Sequence, residues 1–229
     1  MFLSANLYNF FDYRPYWKHF SMDGVFMSKR IKQIGLCAVI AGIIWVAGII
    51  SDKQTLCDEL IRLHVVAASD SQEDQKLKLQ VRDAVVNSLR ENMSHVTDVA
   101  QAKAYLQQNL PKIEEIANRV LWDVGVYDGV IVSLQQEEFD TRYYDTFTLP
   151  AGVYESLRIT IGDGNGHNWW CVVFPAMCVG ATVSEFKETA QCAGLSAPLT
   201  EALAGEESYE TRFLILDALG RLENFLHKG

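Results

Sequence analysis

Residues 156–174, SLRITIGDGNGHNWWCVVF, contain two β-strand patterns separated by a glycine-rich loop. The segments 156–161 and 168–174 are short, rich in β-branched and aromatic residues, and bounded by turn residues. A tight connection between paired strands needs residues that tolerate positive φ angles, and the three alternating glycines of the loop do so. We therefore predict a β-hairpin in which the two segments pair directly.

The glycine loop lacks the pattern of a cofactor or metal site. Phosphate-binding loops lie between a strand and a helix, whereas this loop leads into the strand pattern NWWCVVF. A calcium-binding loop starting at Asp163 would place Phe174 at its twelfth position, where a glutamate is required. We predict no cofactor and no metal ion for the chain.

Trp169 and Trp170 are adjacent in the second of these strands. Because successive strand residues point to opposite faces, Trp169 and Cys171 share one face and Trp170 lies on the other. Both faces are apolar, which leaves two interpretations open. The strand is either central and covered on both sides, or it presents one tryptophan to a partner as an interface anchor.

The sequence does not favour catalysis. It contains no GxSxG, HExxH or paired-carboxylate signature. His167 and Cys171 are separated by about 13 Å on an extended strand, which is too far for a nucleophile and its base. His64, in an earlier strand, could still approach Cys171. We predict that the chain is not an enzyme, and the alternative is an extracytoplasmic cell-wall hydrolase that uses Cys171 or His64.

Residues 34–50, IGLCAVIAGIIWVAGII, form an uncharged apolar run that predicts a transmembrane or signal-peptide helix. A buried core helix, the alternative, would rarely be apolar on every face. Three basic residues just before the run predict that residues 1–33 are a cytoplasmic segment and that the chain after the run is exported. Met27 provides an alternative start, which would place residues 1–26 upstream of the protein.

The pattern after this run predicts a single extracytoplasmic α+β domain with a partly antiparallel sheet and several helices. Residues 51–229 carry 15 Lys and Arg against 27 Asp and Glu, a net charge of −12, which disfavours nucleic acid as a partner. The predicted helices span residues 72–92, 97–109, 111–122, 183–193 and 210–226. The predicted strands span residues 60–66, 130–136, 143–149, 156–161 and 168–174.

Four cysteines follow the apolar run, namely Cys57, Cys171, Cys178 and Cys192. Disulfides are permitted outside the cytoplasm, and three pairings of the four are formally possible. Cys171 and Cys178 would close the shortest loop, and we predict a bond between them. Whether Cys57 and Cys192 also pair stays open.

Four segments, in order, resemble the stage II sporulation protein R family of endospore-forming bacteria. They are RLHVVAASD (62–70), DQKLKLQVRDAV (74–85), LPAGVYESLRI (149–159) and GNGHNWWCVVFPAMC (164–178). On this resemblance we assign residues 56–180 to the family domain. Residues 181–229 are predicted to be a C-terminal helical region packed on that domain.

The resemblance implies a signalling protein made in the forespore and exported into the space between the forespore and mother-cell membranes. Such a protein triggers a membrane-embedded aspartic protease of the mother cell to process the sigma-E precursor, by binding and not by catalysis. The candidate partner-binding residues are Asn168, Trp169, Trp170 and His64. The residues expected to be structural are Arg62, Asp70, Arg82, Asp83, Gly162, Gly164 and Gly166.

Overall fold

The computed structural model describes residues 29–177, 182–192, 194–205 and 210–227. In chain order the elements are α1 (Lys29–Glu59), β1 (Ile61–Val66), α2 (Gln72–Asn92), α3 (Val99–Asp123), β2 (Val130–Phe139), β3 (Arg142–Tyr143), β4 (Thr148–Leu149), β5 (Gly152–Ile161), β6 (Asn168–Phe174), α4 (Val183–Cys192), α5 (Ala197–Leu203) and α6 (Glu210–His227). The predicted α+β class is confirmed.

The main sheet has the strand order β2-β5-β1-β6. β1 is parallel to β5 and antiparallel to β6, and β2 is antiparallel to β5, so the sheet is mixed. All six residues of β1 are buried. The first strand in the sequence is therefore an inner strand, and its pairing on both sides joins the two halves of the sheet.

The predicted hairpin of β5 and β6 is wrong, because β1 lies between these strands. The loop that connects them crosses the end of β1 instead. The backbone N–H of Asn165 donates to the carbonyl of Ala68 at 3.2 Å, and the N–H of Gly166 donates to the carbonyl of Ala67 at 2.9 Å. β5 and β6 each pair with the distant strand β1 instead of with each other. Strand patterns alone do not distinguish such a long-range pairing from a local hairpin.

The loop glycines serve this crossing in two ways. Gly162 and Gly164 have φ angles of 53° and 66°, which residues with a side chain rarely adopt. At Gly166 the reason is space, because a Cβ atom would lie 2.2 Å from the carbonyl oxygen of Ser69.

Helices α2 and α3 cover one face of the sheet. Ser71 caps α2, where its hydroxyl accepts a hydrogen bond from the N–H of Asp74 at 3.1 Å. The helices and the sheet together form the first core cluster, whose fully buried members include Leu63, Val65, Val81, Val85, Leu106, Ala117, Leu121, Leu157 and Ile159.

The prediction of a separate helix beginning at Pro111 is wrong, since α3 continues through Pro111. Proline inside a helix removes one hydrogen bond and costs about 3 kcal/mol. The buried positions on the two sides of Pro111 nevertheless keep helical phase, with Leu106 and Ile113 seven residues apart. Burial of one continuous stripe against the sheet offsets the local cost.

The opposite face of the sheet packs against a second core cluster. It includes Ile49 and Leu56 of α1, Phe147 and Leu149 near β4, and buried residues of α4, α5 and α6. The predicted strand 143–149 is instead the two short strands β3 and β4, which pair with each other. Helix α5 was missing from the predicted elements.

Helix α1 contains the predicted apolar run. It is long and apolar enough to cross a membrane, which is also true of a signal sequence near an N-terminus. The presence of an N-terminal apolar helix is therefore confirmed, whereas export and cleavage stay predictions. Residues 1–28 of the predicted cytoplasmic segment lie outside the described residues. A boundary between two units of the chain falls within α1, between Ile43 and Ile44, and each of the other elements belongs to the second unit.

Gly166→Ala tests the close crossing of the loop over the chain after β1. Because the new Cβ would meet backbone that cannot move aside, we expect the free energy of unfolding to fall by about 3 kcal/mol. Urea unfolding followed by far-UV circular dichroism measures this change. The exposed loop residue Asp163, replaced by Ala, is the matched control, and equal losses in the two variants would contradict the crossing.

Candidate functional site

The candidate site is one cross-strand row on the sheet face that packs against the second core cluster. Register places Ser133 of β2 opposite Arg158 of β5, Arg158 opposite His64 of β1, and His64 opposite Trp170 of β6. Residues paired in this way share one face of the sheet. We call this row, together with Asn168 at the start of β6, the open sheet face.

Burial changes sharply along this side of the sheet. The next row toward the second core contains Ser156 and Arg62, and both are fully buried. In the open sheet face, Ser133, Arg158 and Trp170 are only partly buried and Asn168 is exposed. The second core therefore covers one end of this side and leaves the other end accessible.

Trp170 contacts both an aromatic ring and a cation, and we call Arg142, Trp170 and His64 the stack. Its ring lies against the His64 ring with a centroid distance of 5.6 Å and an interplanar angle of 19°. The guanidinium carbon of Arg142, from β3, lies 3.5 Å from the Trp170 ring centroid. Such a cation over an indole face is attractive, and it holds the Trp170 ring in a defined orientation.

Glu137 ties the stack to the sheet. His64 Nδ1 and Glu137 Oε2 are 3.1 Å apart, and Arg158 Nη1 donates to Glu137 Oε1 at 2.7 Å. Burial raises the pKa of Glu137, but the hydrogen bonds with His64 and Arg158 contribute to outweighing it and the pKa is held at about 2. The carboxylate is thus ionised at neutral pH and fixes the position of the His64 ring.

Arg62 is a fully buried cation behind the stack. Its Nη2 donates to the hydroxyl of Tyr144 at 2.9 Å, and its guanidinium carbon lies 4.0 Å from the Phe139 ring centroid. Among the described residues, Nε and Nη1 of Arg62 have no hydrogen-bond acceptor. Aromatic rings rather than a carboxylate therefore surround this charge.

Three arginines belong to the site and its surroundings, although residues 51–229 carry a net charge of −12. Arg158 pairs with Glu137, whereas Arg62 and Arg142 lie over the rings of Phe139 and Trp170. An acidic or aromatic segment of a partner would complement this combination of arginine charge and a partly buried indole.

Trp169 lies on the opposite side of the sheet. It packs against the first core cluster, while Trp170 packs against the second. The guanidinium carbon of Arg82 is 4.3 Å from the Trp169 ring centroid, and Arg82 Nε donates to Asp83 at 2.8 Å. The four predicted contact residues therefore do not form one surface, since His64, Trp170 and Asn168 are together and Trp169 is apart. Their role in partner binding stays a prediction.

The hydrolase alternative that combined His64 with Cys171 is wrong. Cys171 is buried in the first core, on the side of Trp169, whereas the His64 ring stacks on Trp170. The sheet itself separates the two groups. His64 retains the orienting carboxylate of a general base, but its Nε2 is buried and has no hydrogen-bond partner among the described residues.

The remaining predicted residues have structural contacts. The N–H of His167 donates to Asp70 Oδ1 at 2.6 Å, and this bond lowers the pKa of Asp70. Cys57 and Cys192 are free thiols, and burial raises the pKa of Cys57 to about 11. Cys178 lies outside the described residues, so its predicted bond to Cys171 stays a prediction. Within the described part of the chain, no group of three or more His, Cys, Asp or Glu side chains could hold a metal ion.

Sequence reasoning missed Glu137, Arg142, Arg158 and Tyr144. A signal for two of them was present, because Ser133, Gln135 and Glu137 alternate along β2 and Arg158 interrupts an apolar strand. Arg142 and Tyr144 gave no such signal, since they come from a short element whose pairing is set by tertiary contacts.

The apolar helix and the open sheet face are consistent with a membrane-bound or secreted α+β protein that has a surface suited to binding. The sequence profile of the family described as stage II sporulation protein R matches residues 57–184, more than half of the chain, and the chain belongs to this sporulation family. The predicted resemblance is confirmed.

Stage II sporulation protein R of Bacillus subtilis (strain 168) is 38% identical to this chain over 121 residues. The aligned region is 53% of this chain and 54% of that protein, so the match spans about half of its length. No solved structure matches the chain.

Glu137→Gln tests the electrostatic support of the stack. Because the pKa of Glu137 is about 2 in the folded protein and about 4.5 without its partners, its charge stabilises the fold above pH 4.5. That contribution is lost as the pH falls toward 2. We expect the free energy of unfolding of the variant to be lower by about 2–3 kcal/mol at pH 7. Below pH 4.5, this free energy should fall less steeply with pH than that of the unaltered chain.

Urea unfolding at a series of pH values from 7 to 2.5 measures both effects. Glu91→Gln, which removes an exposed carboxylate from α2, is the matched control and should leave the profile unchanged. A Glu137→Gln profile parallel to that of the unaltered chain would contradict the ionised, hydrogen-bonded state of Glu137.

Proposed function

We propose that this chain is an exported sporulation signal that activates the mother-cell membrane aspartic protease, which processes the sigma-E precursor. It acts by binding the protease and does not catalyse a reaction itself. Membership of the stage II sporulation protein R family supports the sporulation role. The N-terminal apolar helix supports a location at or beyond a membrane.

The observation that carries a binding role is the Arg142–Trp170–His64 stack. Glu137 holds the buried His64 ring, while Trp170 and Arg142 are only partly buried. A preorganised indole loses little conformational entropy on binding, and tryptophan and arginine dominate the energy of many protein interfaces. A rigid, partly exposed Trp–Arg pair is therefore well suited to anchor a partner.

A binding protein activates an enzyme when it prefers the enzyme's active state. The shift in the protease's equilibrium equals the difference between the affinities for its two states. The fixed orientation of Trp170 and Arg142 provides such a preference, because a rigid surface fits one arrangement of the partner better than another. The arginines of the site favour an acidic segment of the extracytoplasmic part of the protease.

Two other functions make predictions that differ from those of a protease activator. A hydrolase based on His64 predicts turnover of cell-wall material that is lost in His64→Ala. A coat or scaffold protein predicts self-association and no effect on precursor cleavage. Purified chain incubated with cell-wall material, and its association state measured by sedimentation, distinguish both from a protease activator.

Trp170→Ala should strongly weaken activation of the protease. The assay reconstitutes the protease and the sigma-E precursor in proteoliposomes, adds the chain, and follows cleavage over a range of chain concentrations. Loss of an anchoring tryptophan costs at least about 2 kcal/mol of binding, so roughly 30-fold more variant should be needed for the same cleavage. Asn168→Ala, at the rim, should have a smaller effect.

The control for Trp170→Ala is Trp122→Ala, which removes a half-exposed tryptophan from α3 and should activate normally. Trp170→Phe preserves an aromatic stack on His64 and should recover part of the activity, which separates a lost contact from a lost fold. If folded Trp170→Ala protein activates normally and Trp169→Ala does not, the contact surface lies on the helix side of the sheet and the open sheet face is not the site.

A further inference from the structure

Helix α6 exposes apolar side chains along one side. Leu214, Leu222, Phe225 and Leu226 are 66%, 55%, 75% and 69% exposed. Ala218 lies between them in the sequence and is exposed as well. We call these five residues the α6 apolar flank. It lies beyond residue 184, where the family match ends.

The opposite side of α6 packs tightly on the domain. At Gly220 the helix comes so close that a Cβ atom would lie 1.6 Å from the carbonyl oxygen of Ala151. Successive residues of an α-helix are about 100° apart, so Ala218 and Leu222 each lie about 160° around the helix from Gly220. The α6 apolar flank therefore points away from the domain that holds the helix.

The α6 apolar flank contains no charged residue. Arg221 is its nearest exposed cation, and two hydrogen bonds direct the guanidinium elsewhere. Nε donates to Asp217 Oδ2 at 2.8 Å, and Nη2 donates to Thr141 Oγ1 at 3.1 Å, in the segment between β2 and β3. The flank is thus a continuous apolar surface, and such surfaces on a folded domain mark interaction sites.

The spacing of the flank is symmetric about its smallest residue. Leu214 precedes Ala218 by four residues, and Leu222 follows it by four. If two copies of α6 pack antiparallel around a twofold axis at Ala218, Leu214 of each copy meets Leu222 of the other. Phe225 then lies opposite Thr211, which is also exposed. The small side chain at the axis lets the two helices approach closely, so the flank is complementary to a second copy of itself.

The flank is large enough for a specific contact. A leucine or phenylalanine has roughly 150–250 Å² of surface when free, so the four large side chains together expose roughly 500 Å² per copy. A twofold contact would therefore bury roughly 1,000 Å² in total, which is about the lower limit for a specific protein interface. We accordingly expect a dimer that dissociates on dilution.

We propose that α6 is a self-association surface, on which two copies of the chain pack their α6 apolar flanks antiparallel around Ala218. Both copies use the same residues, so the contact closes as a dimer and does not extend into a filament. The open sheet face consists of strand residues and takes no part in this contact. The dimer thus carries two open sheet faces. Only the further consequence, that it binds two partner molecules, rests on the proposed function.

Cysteine crosslinking at the twofold axis tests this proposal on the full chain, purified in detergent at micromolar concentration. The background Cys37→Ser/Cys192→Ser removes the two exposed free thiols of the described residues. Ala218→Cys should then form a disulfide between two copies under copper–phenanthroline oxidation, because the two side chains face each other. Thr211→Cys is the matched control and should not, since its two copies lie about 21 Å apart along antiparallel helices.

Leu222→Glu, added to the Ala218→Cys chain, supplies a second measurement. It places a charge against Leu214 of the other copy, so the crosslinked fraction should fall at least tenfold over a dilution series. Ile131→Glu, at a position on β2 that is 68% exposed, should leave the fraction unchanged. Leu222 is on the surface, so circular dichroism should show an intact fold in both variants.

Three results would overturn the proposal. They are the absence of a disulfide at position 218, equal yields at positions 211 and 218, which indicate parallel or random contact, and a Leu222→Glu variant that crosslinks like its parent. Labelling of α6 by a lipid with a diazirine on its acyl chain, without crosslinking at position 218, would assign the flank to a lipid surface and also overturn it. Precursor cleavage is measured separately, so none of these outcomes decides the proposed function.

Discussion

The pairing of β1 on both sides is the constraint on which the structure depends. β1 is parallel to β5 and antiparallel to β6, and neither neighbour follows it directly in the sequence. The loop between β5 and β6 must therefore cross the end of β1, which explains why it contains glycines at positions with positive φ and at a position with no room for a side chain. The loop crosses the end of β1, and backbone geometry rather than ligand binding explains its glycines.

The alternation of β1 also creates the candidate site. Ile61, Leu63 and Val65 point into the core beneath α2 and α3, so Arg62 and His64 must point to the other side. Burying a cation there is costly, and the fold offsets the cost with the rings of Phe139 and Tyr154 and with the hydroxyl of Tyr144. The same alternation along β1 places His64 where its ring stacks on Trp170 in the open sheet face.

Regions outside the family match complete the fold. Ile49 of α1 and Leu199, Leu203 and Leu216 of α5 and α6 are fully buried in the second core. The matched residues 57–184 thus depend on both flanking helical regions to cover one side of their sheet. This dependence links the sheet to the helix that predicts membrane attachment, and it fixes α6 next to the end of that helix through the pairs with Asp52 and Lys53.

The sequence by itself determined the α+β class, the apolar N-terminal helix, the bounds of α2 and β6, and the family, because periodicity, charge and extended motifs are local properties of the chain. It also put the two tryptophans on opposite faces, since alternation follows from strand geometry. Only the tertiary structure decided that β1 separates β5 from β6, that α3 continues through Pro111, and that His64 meets Glu137 and Trp170 while Cys171 lies across the sheet. Those outcomes depend on which distant segments bury their apolar faces together, and a strand or helix pattern does not specify its partner.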